Sequence, residues 1–455
     1  MLILADILAA TGGKVLAAGP EEFSGVSIDS RSIADGELFF ALRGENHDGH
    51  AYLSSALQKG GGAVVSADHD LSHLAAAGAN RTIIAVSDPL KALQAAAAYR
   101  RKRFQGTVIG IVGSNGKTTT KELAAAVLET KYVVHKTTGN LNNHIGLPLS
   151  LLRAPERAEV LVMEMGTNRP GDVRELCEIA QPTVGVVTNI GMEHLQGFGT
   201  LEGVRDAELE LLPYIRTVVV NGDDDFLMAG VKERFQGKII TFGINSPHAS
   251  VRGLDCTPNA QGTRFLLETA TGRIPVDLRL FGMFNVANAL AAAAVGAEAG
   301  VPLEGIRAGI GAFSGVAMRF SVRRQDGITW LADMYNANPS SMEVSVDELL
   351  RFCGEGKRAV AVLGDMLELG DRAGELHEEL GRRLARQGVG LFIGVGPLMK
   401  AAVAAFGTGA CAADDAAQAA ELLRQRLLPE DVVLVKGSRG MRMERVCEAL
   451  GVGLT

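Results

Sequence analysis

The sequence predicts an α/β protein of three domains, and three observations support this fold class. The chain has 455 residues, which is enough for about three domains of roughly 150 residues each. Apolar β-branched runs alternate with amphipathic helical segments along most of its length, a pattern typical of mainly parallel sheets covered by helices. A glycine-rich loop at 113–116 joins one of these strands to the next helix. We expect domains at 1–84, 85–312 and 313–455.

The first unit, residues 1–84, is expected to be a small α/β domain that begins with a helix. Short strands are predicted at GVSIDS, GELFFAL and GAVVSA. Polar residues beyond these strands form turns and caps in most proteins, but at strand ends they are also placed to bind an anionic ligand. These residues are Ser30, Arg31, Arg43, Asp48 and His50.

The central unit, residues 85–312, is expected to contain a mainly parallel sheet. A helix over 85–104 leads into it, and strands are predicted at TVIGIVG, YVVHKT, EVLVMEMG, TVGVVTNI, TVVVNG and KIITFG. Residues 252–281 have short alternating runs around turns, which predict a small antiparallel insertion. The next helix carries Asn285 and Asn288 on one face near its start. Such asparagines can cap a helix or read a nucleotide base, and the spacing leaves both roles open.

The loop after the first central strand has the features of a phosphate-binding loop, or P-loop. Gly113 and Gly116 allow a tight turn that brings backbone N–H groups to phosphates, at the positive end of the next helix. Lys117 would reach the β- and γ-phosphates, and the Thr118 hydroxyl would bind Mg²⁺. The full motif has a further glycine where this chain has Ile111, so a plain glycine-rich turn is the alternative. Because a strand precedes the loop and a helix follows it, we predict nucleotide binding.

Polar residues stand at the carboxyl ends of the predicted parallel strands, where ligands bind in such sheets. They are Thr137, Thr138, Glu164, Asn189 and His194. Glu164, His194 and Glu208 are further metal candidates, because carboxylate oxygens suit Mg²⁺. Imidazole is a less typical Mg²⁺ ligand, which leaves a structural role open for His194. The sequence has no nucleophile motif, so a group on the substrate is expected to accept any transferred phosphoryl group.

The third unit, residues 313–455, is expected to be a Rossmann-like α/β domain. Its predicted strands are ITWLADM, RAVAVLGD, GLFIGVG and DVVLVKGS, separated by helices. No G-x-G-x-x-G pattern follows any of these strands, which argues against a separate dinucleotide site.

Composition excludes several other functions. The net charge of -7 shows no basic excess, so no nucleic-acid partner is expected. The five cysteines lie far apart, without the spacing of a zinc site or a disulfide framework. The N-terminus lacks the basic start of a secretory signal, and no apolar stretch is long enough to span a bilayer. We therefore expect a cytoplasmic protein without a membrane segment.

Taken together, the motifs resemble those of the Mur ligase family over nearly the full chain. The first unit contributes DSRSIADGELFFAL and DGH, and the third contributes DMYNANPSSM, VLGDMLELG and VKGSRGMRME. The second contributes GSNGKTTTKE, TTGNLNNHIGLPLSLLR, EMGTNRPGDV and TNIGMEHLQGFG. A match to one of these motifs arises easily by chance, whereas a match to all of them in the same order is very improbable.

The resemblance implies an amide ligase that uses ATP and Mg²⁺. In that family a substrate carboxylate takes the γ-phosphate of ATP, and an amine attacks the resulting acyl phosphate. The motifs are most similar to those of the member that joins D-alanyl-D-alanine to UDP-N-acetylmuramoyl-tripeptide in peptidoglycan synthesis. The first domain is then expected to hold the uridine diphosphate part, the second ATP, and the third the dipeptide as it closes. A monomer is expected.

The resemblance also assigns site residues, motif by motif. The implied ATP-binding residues are Gly113, Ser114, Asn115, Gly116, Lys117, Thr118, Thr119, Asn285, Asn288, Arg319 and Asp333. The implied UDP-substrate residues are Ser30, Arg31, Arg43, Asp48, His50, Thr138, Asn140, Asn142 and Asn143. The implied dipeptide-side residues are Tyr335, Asn336, Asn338, Lys436, Ser438 and Arg439. The implied catalytic residues are Lys117, Glu164, His194 and Glu208, and the implied metal ligands are Thr118, Glu164, His194 and Glu208.

Two positions depart from the family pattern. The family usually has a lysine, carbamylated by CO₂, on the helix after His194, whereas this chain has Glu208. We hypothesise that Glu208 supplies that negative charge directly. The alternative is a solvated helix glutamate, with the charge supplied elsewhere. Phe284 stands where a histidine usually precedes Asn285 and Asn288, which changes one adenine-side or packing contact.

Three other functions fit parts of the sequence: a glutamate-adding folate enzyme of the same superfamily, a P-loop NTPase switch or kinase, and a non-catalytic binding module. The first-domain motifs and the NANPSSM loop disfavour the folate enzyme. A switch or kinase would release phosphate without an amine substrate. A binding module would leave Lys117 and Glu164 idle.

Overall fold

The computed structural model describes residues 2–44, 46–70, 80–354 and 356–453. Within these ranges the chain forms four sheets flanked by helices. The predicted α/β class is confirmed, with a small N-terminal sheet, a mainly parallel central sheet and a Rossmann-like C-terminal sheet. Met1, which begins the predicted N-terminal helix, lies outside the described ranges. None of the helices in these ranges is long and apolar enough to cross a membrane.

The described part of the N-terminal domain contains one small sheet and a separate pair of short strands. Its strands are β1 (Leu2–Ile3), β2 (Lys14–Ala17), β3 (Glu22–Phe23), β4 (Val26–Ser27), β5 (Leu38–Phe40), β6 (Gly62–Ser66) and β7 (Thr82–Val86). Its helices are α1 (Leu4–Thr11) and α2 (Leu53–Lys59), with a 3₁₀ helix at Gly49–Tyr52. The sheet order is β2-β7-β6-β5-β4, and β1 pairs separately with β3. Strands β4, β5 and β6 confirm the prediction.

The other strands of this domain have no counterpart in the sequence prediction. Strands β1 and β3 have two residues each, too few for an alternating pattern to show. Strand β7 crosses the expected boundary at residue 84. Helix α3 (Pro89–Arg103) follows and confirms the predicted connecting helix. It begins where the Asp88 carboxylate accepts the backbone N–H groups of Leu90 and Lys91.

The central domain has a nine-stranded sheet. Its strands are β8 (Thr107–Val112), β9 (Val134–Lys136), β10 (Val160–Glu164), β11 (Val184–Val187), β12 (Thr217–Asn221), β13 (Lys238–Gly243), β14 (Val251–Pro258), β15 (Thr263–Thr269) and β16 (Gly272–Leu278). The order is β16-β15-β14-β13-β12-β11-β8-β10-β9. The pairs from β9 to β14 are parallel, as predicted, and β14, β15 and β16 pair antiparallel. The predicted antiparallel insertion therefore extends the main sheet.

Helices cover both faces of this sheet. They are α4 (Lys117–Leu128), α5 (Gly146–Leu152), α6 (Asp172–Ala180), α7 (Leu195–Phe198), α8 (Leu201–Glu208), α9 (Asp225–Arg234), α10 (Met283–Glu298) and α11 (Leu303–Ala312), with a 3₁₀ helix at Leu209–Tyr214. Helix α10 is the predicted helix that carries the two asparagines. Two apolar clusters, one on each face of the sheet, form the core of the domain.

The third domain has a six-stranded sheet. Its strands are β17 (Ser321–Gln325), β18 (Ile328–Asp333), β19 (Ala359–Gly364), β20 (Leu391–Val395), β21 (Ala410–Ala413) and β22 (Val432–Lys436). Its helices are α12 (Pro339–Cys353), α13 (Ala373–Arg386), α14 (Met399–Phe406), α15 (Ala416–Arg424) and α16 (Glu444–Ala449), with 3₁₀ helices at Gly370–Arg372 and Arg439–Met441. The order is β17-β18-β22-β19-β20-β21. Strands β18, β19, β20 and β22 are the four predicted ones, and the two edge strands are additional.

Strand β8 is an interior strand of the central sheet, and its side chains are apolar on both faces. Val108 on one face and Ile109 on the other are 0% and 1% exposed, and burying a side chain of this size contributes about 1.5–3 kcal/mol. Its neighbours are β10 and β11. The loops after these three parallel strands leave the sheet side by side, which brings the predicted polar residues to one edge.

Candidate active site

A cavity of about 850 Å³ lies at the carboxyl ends of the central strands. Residues of the central domain line one side of it, among them Lys117, Glu164 and His194. Residues of the third domain line the other, among them Arg319, Asp333 and Lys436. The structure therefore brings together site residues that the sequence predicted on two separate domains.

The P-loop has a conformation that only its glycines permit. The φ angle is +119° at Gly113 and +83° at Gly116, in a region that L-residues rarely adopt. A Cβ atom on Gly113 would lie 2.3 Å from Oγ1 of Thr188. A Cβ atom on Gly116 would lie 2.3 Å from Oδ1 of Asn288. The Thr188 hydroxyl also donates a hydrogen bond to the carbonyl of Asn115 at 2.7 Å, which fixes the loop on β11.

The ammonium group of Lys117 is held by the loop and by acidic side chains. Nζ donates to the carbonyl oxygens of Gly113 at 2.5 Å and Ser114 at 3.4 Å. It also lies 3.7 Å from Oε1 of Glu193. Burial opposes the charge of Lys117, but the nearby carboxylates, led by Glu193, outweigh burial and raise its pKa. Lys117 is therefore positively charged at neutral pH, at the position where a P-loop lysine meets phosphates.

Glu164, the last residue of β10, is tied to the P-loop helix. Its Oε1 accepts hydrogen bonds from the Thr118 hydroxyl at 3.2 Å and from the Asn142 amide at 2.9 Å. Its Oε2 lies 3.5 Å from Nζ of the fully buried Lys121. Within the described ranges, this Oε2 accepts no hydrogen bond. Thr118 and Glu164, both predicted metal ligands, are thus in direct contact.

Two more buried carboxyl groups lie beside the loop. Glu193, which directly precedes His194, lines the cavity. Glu208, the last residue of α8, accepts the N–H of Gly113 through Oε2 at 2.8 Å. Burial raises the pKa of both carboxyl groups, although the charge of Lys117 opposes the shift. Because Glu208 is 0% exposed, the alternative of a solvated helix glutamate is wrong.

The buried carboxylates fit a divalent cation. Three of their oxygens have no hydrogen-bond partner within the described ranges: Glu164 Oε2, Glu193 Oε1 and Glu208 Oε1. Oxygens of this kind are the preferred ligands of Mg²⁺, and a cation would offset the cost of burying their charges. Of the two glutamates beside the loop, Glu193 lines the cavity, whereas Glu208 is not among the described lining residues. Glu208 therefore lies one layer behind the cavity wall.

His194 occupies a strained position at the start of α7. Its φ is +44°, in a region that is uncommon for residues other than glycine. Its Nδ1 pairs with the carboxylate of Glu368 from the third domain, and its Nε2 lies 4.0 Å from Oε2 of Glu193. Burial lowers the pKa of His194, which favours the neutral ring that can act as a ligand.

The two asparagines of α10 lie behind the P-loop. The Asn288 amide donates to Oδ1 of Asn285 at 3.2 Å, which confirms that they share one helix face. Asn288 also accepts a hydrogen bond from the Thr120 hydroxyl on α4 at 3.2 Å. Both asparagines line the cavity and are largely buried. Phe284 packs edge to face on Phe320 of the third domain, with ring centres 5.2 Å apart, so it makes an interdomain contact.

Three charged residues of the third domain face the central domain. Asp333 and Lys436 end the adjacent strands β18 and β22 in register, and Lys436 Nζ lies 2.5 Å from Oδ2 of Asp333. Burial alone would raise the pKa of Asp333, but Lys436 outweighs burial and holds it below the usual range. Arg319 donates to the Thr118 hydroxyl at 3.2 Å, and its guanidinium lies 3.7 Å from the ring centre of Tyr335. Arg319 thus links the third domain directly to the P-loop.

The loop before α12 makes a second link to the P-loop. The Asn338 amide donates to Oδ1 of Asn115 at 3.0 Å, and the Asn115 amide donates to Oγ of Ser340 at 3.0 Å. Asn336 lines the cavity, and its carbonyl accepts a hydrogen bond from Lys436 at 2.9 Å. The predicted dipeptide-side residues of this loop therefore lie at the interface between the two domains.

The structure does not bring every predicted residue to this cavity. Ser438 is buried, where its hydroxyl accepts the N–H of Leu367 at 2.9 Å. Arg439 pairs with Glu444 at 2.9 Å. Among the predicted UDP-substrate residues, Asn142 and Asn143 line the cavity. Thr138, Asn140 and the first-domain residues are not among the lining residues that the structure describes.

Three of the predicted first-domain residues, Arg43, Asp48 and His50, form a cluster of their own. Arg43 lies 3.6 Å from the carboxylate of Asp48 and 3.0 Å from that of Asp68. His50 is buried, with Nδ1 at 2.6 Å from Asp48 and Nε2 accepting the N–H of Ser66 at 2.9 Å. Both ring nitrogens of His50 therefore have hydrogen-bond partners within the first domain. The remaining two predicted residues are Ser30 and the exposed Arg31, whose guanidinium is paired with Asp29.

Sequence reasoning missed Glu193, Lys121 and Glu368 at this site. Glu193 stands next to His194 after a predicted strand. The expectation that ligand-binding residues follow the carboxyl ends of parallel strands could therefore have identified it. Lys121 is one turn into α4 from Lys117, but only the structure shows that it is buried beside Glu164. Glu368 comes from another domain, and no local pattern marks its contact with His194.

Comparison with known proteins identifies the family. Models of three protein-domain families match this chain, one after another along the sequence. They are the Mur ligase family catalytic domain at residues 22–101, the Mur ligase middle domain at 111–296, and the Mur ligase glutamate ligase domain at 318–439. A curated relative, UDP-N-acetylmuramoyl-tripeptide--D-alanyl-D-alanine ligase of Bacillus subtilis, is 34% identical over 442 residues, 94% of this chain and 93% of that protein.

Two solved structures are similar over almost the whole chain. The crystal structure of MurF from Acinetobacter baumannii has a TM-score of 0.89 and 31% identity, and covers 98% of each chain. The structure of MurF ligase from Thermotoga maritima in complex with ADP has a TM-score of 0.81 and 31% identity, and covers 93% of this chain and 96% of that one. With its three domains matched in order and a P-loop cavity shared between two of them, this chain belongs to the Mur ligase family.

Proposed function

We propose that the chain is an ATP-dependent amide ligase. It joins D-alanyl-D-alanine to UDP-N-acetylmuramoyl-tripeptide and produces the UDP-linked pentapeptide precursor of peptidoglycan. The observation that carries this proposal is the cavity in which the P-loop lysine, Lys117, lies opposite Arg319 and Lys436 of the third domain. The function of the Bacillus subtilis relative and the ADP bound to the Thermotoga maritima structure support it.

We assign one substrate to each domain. Residues 1–84 bind the uridine diphosphate part, 85–312 bind ATP, and 313–455 bind the dipeptide and close over the cavity. In the first domain, the half-exposed guanidinium of Arg43, which pairs with Asp48 and Asp68 in this structure, is the group that would meet the diphosphate. The Arg319 link to Thr118 supports the role of the third domain in closure. We further propose that the enzyme acts as a monomer in the cytoplasm.

The first chemical step is phosphoryl transfer to the tripeptide. A carboxylate oxygen of the tripeptide attacks the γ-phosphorus of ATP, the bond to the β-phosphate oxygen breaks, and ADP leaves. Lys117 neutralises charge on the phosphates, and Arg319 adds a second cation beside Thr118. Thr118, Glu164 and His194 would hold Mg²⁺, with Glu208 supplying charge behind them. When bound, Mg²⁺ neutralises charge on the β- and γ-phosphates.

The second step forms the amide bond. The free amine of the dipeptide attacks the acyl phosphate carbon, a tetrahedral intermediate forms, and phosphate leaves as the amine loses a proton. The interdomain hydrogen bonds of Asn115 hold the third domain over the loop. Closure of this kind excludes water, which would otherwise hydrolyse the acyl phosphate.

A substrate-omission assay tests the proposed function. ADP release and product mass are measured with UDP-N-acetylmuramoyl-tripeptide, with and without D-alanyl-D-alanine. We expect sustained ADP release only with both substrates, together with a product whose mass equals that of the UDP-linked pentapeptide. ADP formation that is indifferent to both substrates would overturn the ligase proposal and favour an NTPase switch.

Substitutions of Glu208 test its role behind the cavity wall. Glu208→Ala removes both the charge and the acceptor of the Gly113 N–H, so we expect turnover to fall about 10- to 100-fold, as for groups that support metal ligands. Glu208→Gln keeps an oxygen acceptor and isolates the loss of charge. Glu208→Lys is expected to make activity depend on added bicarbonate. The exposed Glu202→Lys, on the same helix, serves as the control for steady-state ADP release. Wild-type kinetics in the alanine variant would contradict the assignment.

A further inference from the structure

A loop of the third domain docks beside His194. This loop, residues 365–370, follows strand β19 and meets the short helix α7 of the central domain. The carbonyl of Glu368 accepts the backbone N–H of Gln196 at 3.2 Å. Leu369 is buried in one apolar cluster with Leu195 of that helix. The contact is therefore made by backbone, apolar and charged groups together.

The charged part of this contact fixes one ring nitrogen of His194. The Glu368 carboxylate pairs with Nδ1, so Nδ1 carries the proton and donates it. The ring then keeps its lone pair on Nε2, which lies 4.0 Å from the Glu193 carboxylate on the cavity wall. A carboxylate that holds the far nitrogen of a histidine in this way fixes the tautomer and the ring orientation of a metal ligand.

Glu368 differs from the buried carboxylates around Lys117. Its side chain is 59% exposed, whereas that of His194 is 20% exposed. Its φ of +64° is uncommon for a residue other than glycine. The backbone of the loop therefore bends so that a surface carboxylate reaches across the domain boundary to the ring.

We propose that Glu368 is a positioning residue that makes the cation site of the central domain depend on docking of the third domain. The inference rests on the proposed function for the identity of the cation as Mg²⁺. When the third domain docks, Glu368 sets His194 in the tautomer that presents Nε2 to the cavity. When the domain is apart, the His194 ring lacks this partner and is free to take either tautomer. The site is thus completed by the same motion that covers the substrates.

The test measures cation binding rather than turnover. Mn²⁺ replaces Mg²⁺, and free Mn²⁺ is followed by electron paramagnetic resonance in the presence of ADP, for wild type, Glu368→Ala, Glu368→Gln and the control Asp371→Asn. Asp371 is an exposed residue next to the same loop. We expect Glu368→Ala to weaken Mn²⁺ binding at least about 10-fold. Glu368→Gln retains an oxygen that accepts the Nδ1 proton and is expected to recover most of the affinity, and Asp371→Asn is expected to match wild type.

A double-mutant cycle with His194→Ala distinguishes positioning from general destabilisation. If Glu368 acts through the ring, Glu368→Ala has no further effect on Mn²⁺ affinity once His194 is absent. ADP affinity without any divalent cation should be equal in all variants. Wild-type Mn²⁺ affinity in Glu368→Ala, or an equal loss with and without His194, would overturn the inference. A wild-type protein that binds Mn²⁺ as expected but forms no pentapeptide would overturn the proposed function and leave this inference standing.

Discussion

Replacing Lys117 with alanine is expected to lower kcat/KM for ATP about 10³-fold, or ~4 kcal/mol of transition-state stabilisation. The ammonium group is the P-loop cation that meets the transferred phosphate. Its loss also leaves the buried Glu193 carboxylate without the cation that lies 3.7 Å away. Steady-state ADP release gives kcat/KM, and binding of a fluorescent ATP analogue separates lost affinity from lost turnover.

Lys232→Ala is the matched control for this experiment. Lys232 is an exposed lysine on helix α9 of the same domain, and its replacement should leave the kinetics unchanged. A Lys117→Ala enzyme that keeps at least a third of wild-type kcat/KM would show that this lysine does not stabilise the transferred phosphate. Full biological function in that variant would instead support a non-catalytic binding module.

Replacing Glu164 with glutamine is expected to lower kcat at least about 10²-fold, or ~3 kcal/mol, and to raise the Mg²⁺ concentration needed for half-maximal activity. Glutamine has nearly the same shape but no charge. Its amide oxygen can still accept the hydrogen bonds from Thr118 and Asn142 that reach Oε1, but its NH₂ group then replaces Oε2 and cannot pair with the ammonium group of Lys121. The measurement is kcat as a function of Mg²⁺ concentration at saturating ATP.

Glu129→Gln is the control for the Glu164 variant, because Glu129 is exposed at the end of the P-loop helix. It should follow the wild-type Mg²⁺ curve. An unchanged Mg²⁺ requirement in Glu164→Gln would remove this residue from the metal site. A uniform loss of kcat with that requirement unchanged would indicate instead that Glu164 mainly holds Thr118 and Lys121 in place.

Most of the strands that the sequence predicts in the second and third domains have long buried runs. The sequence also predicts the partly exposed β9 but not the buried β7. Strand β8 and its neighbours are apolar on both faces, and such runs are visible without any knowledge of the fold. The edge strands β17 and β21 are partly exposed and have mixed composition, which leaves no comparable signal. The two-residue strands β1 and β3 exist only because other parts of the chain offer them partners.

The sequence predicts the part of the candidate site that comes from the strand ends of a single domain. Glu164 and His194 follow parallel strands, so the rule for ligand sites in such sheets locates them. Burial cannot be read from the sequence. Only the fold therefore decides whether the Glu208 side chain is buried or solvated. Contacts between domains are equally hidden, because the pairs of Asn115 with Asn338 and of His194 with Glu368 join segments far apart in the chain.

Strand β22 is the last of the described strands in chain order, yet it lies between β18 and β19 in the middle of the third sheet. Synthesis runs from the N-terminus, so the two halves of this sheet cannot join until β22 has left the ribosome, after all the other strands of the sheet. Lys436, at the end of β22, meets Asp333 only at that moment. A nascent chain can therefore complete its P-loop early, but it gains the second half of its active site only after β22 has been synthesised.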